Sequence, residues 1–111
     1  MDAQTYHLRC ERTTLAFRVE PGETITVGRS SQADIRLAHH SVSKLHFRLT
    51  NRDGHLLLTE LLPRQLMSLN GARFPPGGTR ELSPGDRLAF VEYELVVEVI
   101  PPGAAPEGPP A

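Results

Sequence analysis

Short runs with a two-residue period, each closed by a turn, constrain this chain more than any other feature. Thr14-Leu15-Ala16-Phe17-Arg18-Val19-Glu20 puts Leu15, Phe17 and Val19 on one face, because successive side chains of a strand point to opposite sides. Pro21-Gly22 then breaks the run, since Pro presets φ and Gly tolerates positive φ. Thr24-Ile25-Thr26-Val27 and Asp34-Ile35-Arg36-Leu37 repeat the pattern. Leu45, Phe47 and Leu49 alternate with His46, Arg48 and Thr50 up to Asn51-Arg52-Asp53-Gly54, where Asp-Gly predicts a tight hairpin. Leu56-Leu57-Leu58 reads as a buried strand, and Ser83-Pro84-Gly85-Asp86 introduces Arg87–Val91 and Glu94–Ile100. Leu61 to Leu69 has room for one helical turn, which Pro63 opposes. Many short strands between turn residues predict an all-β sandwich or barrel with no helix.

The chain has 111 residues, enough for one domain. Residues 1–100 are expected to form it. From Pro101 onward five of eleven residues are Pro and two are Gly, so residues 101–111 are expected to be a disordered tail or linker stub. Hydrophobic residues make up 39% and charged residues 23%, a composition that can build a core. Cys10 is the only cysteine, so no internal disulfide or Cys-rich zinc site is available, and it reads as a small buried hydrophobe. The longest apolar run is far short of the ~20 residues of a membrane span, and Met1-Asp2-Ala3-Gln4 lacks a signal-peptide pattern. A soluble, cytoplasmic protein without membrane insertion is the expectation.

The net charge of −1 hides an asymmetry. From Gly28 to Arg80 there are eight basic and three acidic residues, a surplus of +5, while the remainder carries −6. That balance excludes a broadly basic nucleic-acid coat and permits a local site for one anion. Catalysis needs a nucleophile with a base, paired carboxylates or a metal. Ser43 and His46 lack an orienting acid, Gly28 stands alone without a nucleotide loop, and His39, His40 and His46 lack a carboxylate or thiol at ligand spacing. No enzyme activity, cofactor or metal is therefore expected.

Three polar segments remain. Gly28-Arg29 ends a strand, Ser43-Lys44-Leu45-His46 precedes another, and Ser68-Leu69-Asn70-Gly71 follows a further loop. A phosphoryl group is bound by such a set: a guanidinium fork, a second cation, and hydroxyl and N–H donors. In this order and spacing, with Asp34-Ile35-Arg36-Leu37 between them and Leu82-Ser83-Pro84-Gly85-Asp86 after them, the segments resemble the forkhead-associated (FHA) domain family. The resemblance covers roughly residues 5 to 100.

It implies a β-sandwich of two antiparallel or mixed sheets, with about ten or eleven short strands and recognition loops at one end. It also implies a function, binding of phosphothreonine in a partner protein or peptide, as an adaptor downstream of a Ser/Thr protein kinase. By resemblance Arg29 pairs with the phosphate, Ser43 donates its hydroxyl, and Lys44 supplies the second cation where the family usually has arginine. Asn70 is implied to fix the peptide backbone, with Ser68 between contact and loop support. Gly28, His46 and Gly71 are implied as scaffold, Gly28 permitting the turn and His46 tying the loop of Ser43. Asn70-Gly71 also reads as a hairpin turn.

Departures from the family pattern set the alternative. Lys44 replaces a planar fork by a point charge, Leu69 stands where some members have threonine, and Glu60 stands for the family aspartate. About five residues within Leu61 to Met67 look inserted, and Pro75-Pro76-Gly77-Gly78 stands where a second Asn-Gly turn is expected. A phosphate-independent scaffold for complex assembly, docking through Leu66 and Met67 or a β-edge, is the competing reading. Oligomeric state and partner identity are not legible.

Overall fold

The computed structural model describes residues 4–61, 67–74 and 77–100. Its strands are β1 (Thr5–Cys10), β2 (Ala16–Val19), β3 (Thr24–Gly28), β4 (Ile35–Arg36), β5 (Phe47–Arg52), β6 (His55–Glu60), β7 (Met67–Leu69), β8 (Ala72–Arg73), β9 (Thr79–Leu82), β10 (Arg87–Phe90) and β11 (Tyr93–Ile100). They form a six-stranded sheet in the order β2-β1-β11-β10-β7-β8 and a five-stranded sheet in the order β4-β3-β5-β6-β9. The β3–β4 pair is parallel and the other pairs are antiparallel. Among the described residues there is no helix, hence none able to cross a membrane. The fold is the expected β-sandwich.

Alternation builds the core. Tyr6, Leu8 and Cys10 point inward from β1, Phe17 and Val19 from β2, and Leu95 and Val97 from β11. Facing them are Ile25 and Val27 of β3, Phe47 and Leu49 of β5, and Leu56 and Leu58 of β6. Leu57 points outward and is only half-buried, so the Leu56–Leu58 run is an alternating strand rather than one buried on both faces. Cys10 is buried and free, as expected. Two polar side chains fasten sheet to sheet: Tyr6 Oη donates to Gly54 O (2.7 Å), and buried Asn51 Nδ2 donates to Gln4 O (2.7 Å) and Val19 O (2.9 Å). Such bonds satisfy polar groups whose burial alone would cost free energy.

The turn chemistry follows the sequence. Arg52 pairs with His55, leaving Asp53-Gly54 as a two-residue loop with φ of 53° and 80°. Both angles are positive, as the hairpin turns that match strand twist require. Leu69 pairs with Ala72 in the same way, leaving Asn70 (φ 54°) and Gly71 (φ 86°).

The alternation expected through Leu45 breaks. Leu45 is 44% exposed, whereas His46 and Phe47 are both fully buried. The strand begins only at Phe47, and the preceding residues turn so that the His46 ring enters the core, 5.2 Å from the Phe90 ring. The helical turn considered for Leu61 to Leu69 is not formed at its end, where Met67–Leu69 is strand β7. Residues 62–66, 75–76 and the tail 101–111 lie outside the described residues.

Candidate functional site

Gly28 and Arg29 stand where β3 leaves its sheet, flanked on both sides by backbone. On one side β4 runs parallel, with Gly28 opposite Arg36, and Leu37 N–H donates to Gly28 O (2.8 Å). On the other, Arg29 N–H donates to Ser43 O (2.9 Å), Ser30 N–H to Lys44 O (3.1 Å), and His46 N–H to Val27 O (2.8 Å). The 43–45 backbone therefore lies against Gly28. A Cβ there would meet the Lys44 carbonyl oxygen, come 2.7 Å from the Lys44 carbonyl carbon and 2.9 Å from Leu45 Cα. Gly28 is absent from the positive-φ glycines, so its need is space rather than the turn conformation expected of it.

The buried His46 ring holds the same segment from inside. Its Nδ1 accepts the Ser43 backbone N–H (3.1 Å), which puts the ring proton of the neutral tautomer on Nε2. Phe90 and Phe47 pack around it, with ring centroids 5.2 and 6.3 Å away. The imidazole thus links the hydrophobic core to the backbone of Ser43.

Arg29 is aimed by its own loop. Its Nε donates to Val42 O (3.0 Å), and its carbonyl oxygen accepts from Arg36 Nε (3.1 Å). An open depression of about 330 Å3 is lined by Arg29, His40, Val42, Ser43, Lys44 and Leu45. No acidic residue lines it. Among the described residues Arg29, Lys44 and Arg36 have no carboxylate within ion-pair distance. Arg9, by contrast, pairs with Glu98 (2.8 Å), and Arg87 pairs with Glu11 (3.2 Å). The corner is thus cationic and uncompensated among the described residues, which is the electrostatics an incoming anion needs.

Asn70 and Ser68 are not in this corner. Strand β10 acts as a ruler: Met67 pairs with Phe90, which touches His46, whereas Leu69 pairs with Leu88 toward the other end. Asn70 lies beyond Leu69, where its N–H donates to Arg87 O (2.8 Å). Its side-chain Nδ2 donates to Asp86 Oδ1 (3.0 Å), and its Oδ1 accepts from Arg87 N–H (2.9 Å). The amide is occupied in closing two turns of the fold. Ser68 is a half-buried β7 residue opposite Ala89 and Arg73.

The structure therefore gives Asn70-Gly71 the place of a β-hairpin turn, matching the second Asn-Gly turn of the family pattern rather than the first. In that register the five residues that looked inserted before Ser68 need no insertion. Leu61 N–H donates to His46 O (3.1 Å), and Met67 pairs with Phe90, whose ring neighbours that of His46. Residues 62–66, including Leu66, lie outside the described residues. Met67 itself is a core residue, 1% exposed, and does not serve as a docking contact. Glu60, at the end of β6, is buried and accepts Gly77 N–H through Oε1 (2.8 Å), a structural role.

Two lining residues are not marked for this site by the sequence: Val42, and His40, considered only as a metal ligand; Arg36, whose strand alternation is visible, lies beside the depression. Among the described residues no group of three His, Cys, Asp or Glu is arranged to hold a metal.

A model of the FHA domain family matches residues 25–91. A search of curated proteins finds no significant match. Among solved structures, the FHA domain of an Arabidopsis thaliana hypothetical protein superposes with a TM-score of 0.79 at 24% identity, covering 98% of this chain and 92% of its own. The FhaA FHA domain complexed with the intracellular domain of Rv3910 gives 0.74 at 21% identity, covering 84% and 99%. Mycobacterium tuberculosis EmbR in complex with a low-affinity phosphopeptide gives 0.79 at 16% identity, covering 94% of this chain and 26% of that one.

Proposed function

This chain belongs to the FHA domain family, and on that premise we propose that it is a non-catalytic module recognising phosphothreonine in a partner protein, as an adaptor in cytoplasmic Ser/Thr-kinase signalling. One observation carries the reading: Arg29, Ser43 and Lys44 line a single depression in which no carboxylate competes for the cations. Phosphothreonine brings about −1.5 to −2 charge near neutral pH and three strong acceptor oxygens. The Arg29 Nε is already spent on Val42 O, which leaves the two terminal nitrogens for a two-pronged contact. Lys44 adds a point charge that attracts without imposing geometry. The Ser43 hydroxyl is the candidate neutral donor, steadied by the His46 bond to its backbone. Ser68 and Asn70 act through the fold rather than at the phosphate.

A phosphothreonine peptide library, with the same peptides dephosphorylated as controls, tests this. Selected peptides bind only when phosphorylated. Arg29→Ala lowers their affinity at least about a hundredfold, the loss of two charge-assisted bonds, while the unfolding temperature stays within a few degrees. Undiminished binding by Arg29→Ala, or equal binding of dephosphorylated peptides, would overturn the reading. The second result would favour the phosphate-independent scaffold.

A further inference from the structure

A second depression, of about 490 Å3, adjoins the first and is lined by Arg29, Arg36, Ala38 and His40. The two share Arg29 and His40 as lining residues. Arg36 is exposed on edge strand β4 and fixed by one bond, Nε to Arg29 O (3.1 Å). Its terminal nitrogens carry no hydrogen bond or ion pair among the described residues, and the depression has no acidic lining residue.

One phosphate does not account for this arrangement. A phosphothreonine bound by Arg29, Ser43 and Lys44 occupies the first depression, leaving open the Arg36 fork, which lines only the second. Phosphate binding neutralises Arg29 and Lys44 and does nothing for Arg36. The neighbouring carboxylates are engaged elsewhere: Asp34 Oδ2 accepts Thr26 N–H (2.8 Å), and Glu92 pairs with His39 Nε2 (3.5 Å). The His39 ring is thereby held, and it stacks on His40 with centroids 4.9 Å apart, which steadies the exposed imidazole that lines both depressions.

We infer that the second depression binds a second anionic group of the same phosphopeptide, with Arg36 as the main contact and His40 as its neighbour. The inference rests on the phosphothreonine reading of the first depression and adds the class of ligand: a peptide that carries phosphothreonine and, a few residues away, a further negative charge. That charge is a carboxylate or a second phosphate. Both present oxygens that a guanidinium fork engages in two-pronged fashion.

The test uses the full chain and a peptide selected for phosphothreonine binding, made in three series. One has neutral residues at every flanking position, one places a single Glu at each flanking position in turn, and one places a phosphoserine there. Each is titrated against wild type, Arg36→Gln and His40→Ala. At one flanking position the added charge strengthens binding to wild type about tenfold, equivalent to about 1.4 kcal/mol. Arg36→Gln removes that gain, so that in this variant the charged and neutral-flank peptides bind within about twofold of each other. If Glu and phosphoserine both strengthen binding, the site reads charge; if phosphoserine alone does, it reads a second phosphate.

Four results would overturn the inference. Binding indifferent to added charge at every position removes the second site while leaving the phosphothreonine reading intact. Equal loss of neutral-flank and acidic peptides in Arg36→Gln makes Arg36 a positioning residue for Arg29. A gain that survives in both Arg36→Gln and His40→Ala puts the second charge elsewhere. Absence of binding by any phosphothreonine peptide fells the parent reading, and the inference with it.

Discussion

Asn70 shows at the scale of one residue how a turn can be confused with a contact. Its backbone is left-handed and its amide closes both the β7–β8 hairpin and the Ser83–Asp86 turn. Asn70→Ala loses two hydrogen bonds and puts a Cβ-bearing residue without a compensating side chain at positive φ, a cost of about 1–3 kcal/mol. Asn70→Gly relieves the backbone but not the bonds, so it costs less. Neither changes the affinity for a phosphothreonine peptide. Thermal unfolding and a binding titration check both halves, and a large loss of affinity at unchanged stability would restore Asn70 to the peptide. The Asn-Gly dipeptide announces positive φ at two neighbouring residues, information about a turn alone. Gly28-Arg29 and Ser43–His46 were easier to read, because the close approach that excludes a Cβ at Gly28 ties the two segments together. Arg36 was missed because a charged residue alternating on a short strand looks like any solvated face.

Strand β1 dominates at the scale of elements. It lies between β2 and β11, pairing over its full length with β11. Leu8 at its centre faces Phe17 and Val97 and is completely buried. Leu8→Ala therefore costs about 2–5 kcal/mol, a large share of the ~5–15 kcal/mol that holds a domain together, and a chemical-denaturation midpoint measures it. A cost under about 1 kcal/mol would mean that β1 is not integral. Its Tyr6-Leu8-Cys10 alternation is present in the sequence, yet no Gly or Pro brackets it, so the first strand that turn residues mark out is the one from Thr14. β7 and β8 were illegible for another reason: at three and two residues they are too short to show a period. Strands longer than four residues and bounded by turns, such as β5 and β6, were readable except where the His46 ring turns inward and displaces the alternation.

At the scale of the whole molecule, two regions arrange their charges in opposite ways. On the outer face of the six-stranded sheet, charges are paired: Glu98 accepts from Arg9 Nε (2.8 Å) and contacts His7 Nδ1 (3.2 Å). These contacts, the Arg9 hydrogen bond foremost, hold the Glu98 carboxyl below the usual carboxylate range. A carboxyl so depressed in the folded state adds stability above its unfolded pKa, and that stability is lost as pH falls through the folded value. Glu98→Gln thus lowers the unfolding temperature slightly at neutral pH, since the pair is partly exposed. The gap to wild type closes as pH falls below the ordinary carboxylate range, and a gap that widens in acid would reverse the assignment. Val96, opposite both Arg9 and Arg87, is buried on this outer face beneath their side chains, so the paired arginines also cover apolar surface.

At the end of the sandwich near Phe90 the arrangement is reversed, with Arg29, Arg36 and Lys44 uncompensated around two adjoining depressions. The claim that this corner, and not the Asn70 hairpin, receives a phosphothreonine is tested most directly by backbone amide NMR. A peptide selected from the phosphothreonine library is titrated into the isotope-labelled chain. The account predicts the largest shifts at Arg29, Ser43 and Lys44, small shifts at Asn70 and Gly71, and none with the dephosphorylated peptide. Shifts centred on Asn70 and Gly71, or shifts independent of the phosphate, would contradict it.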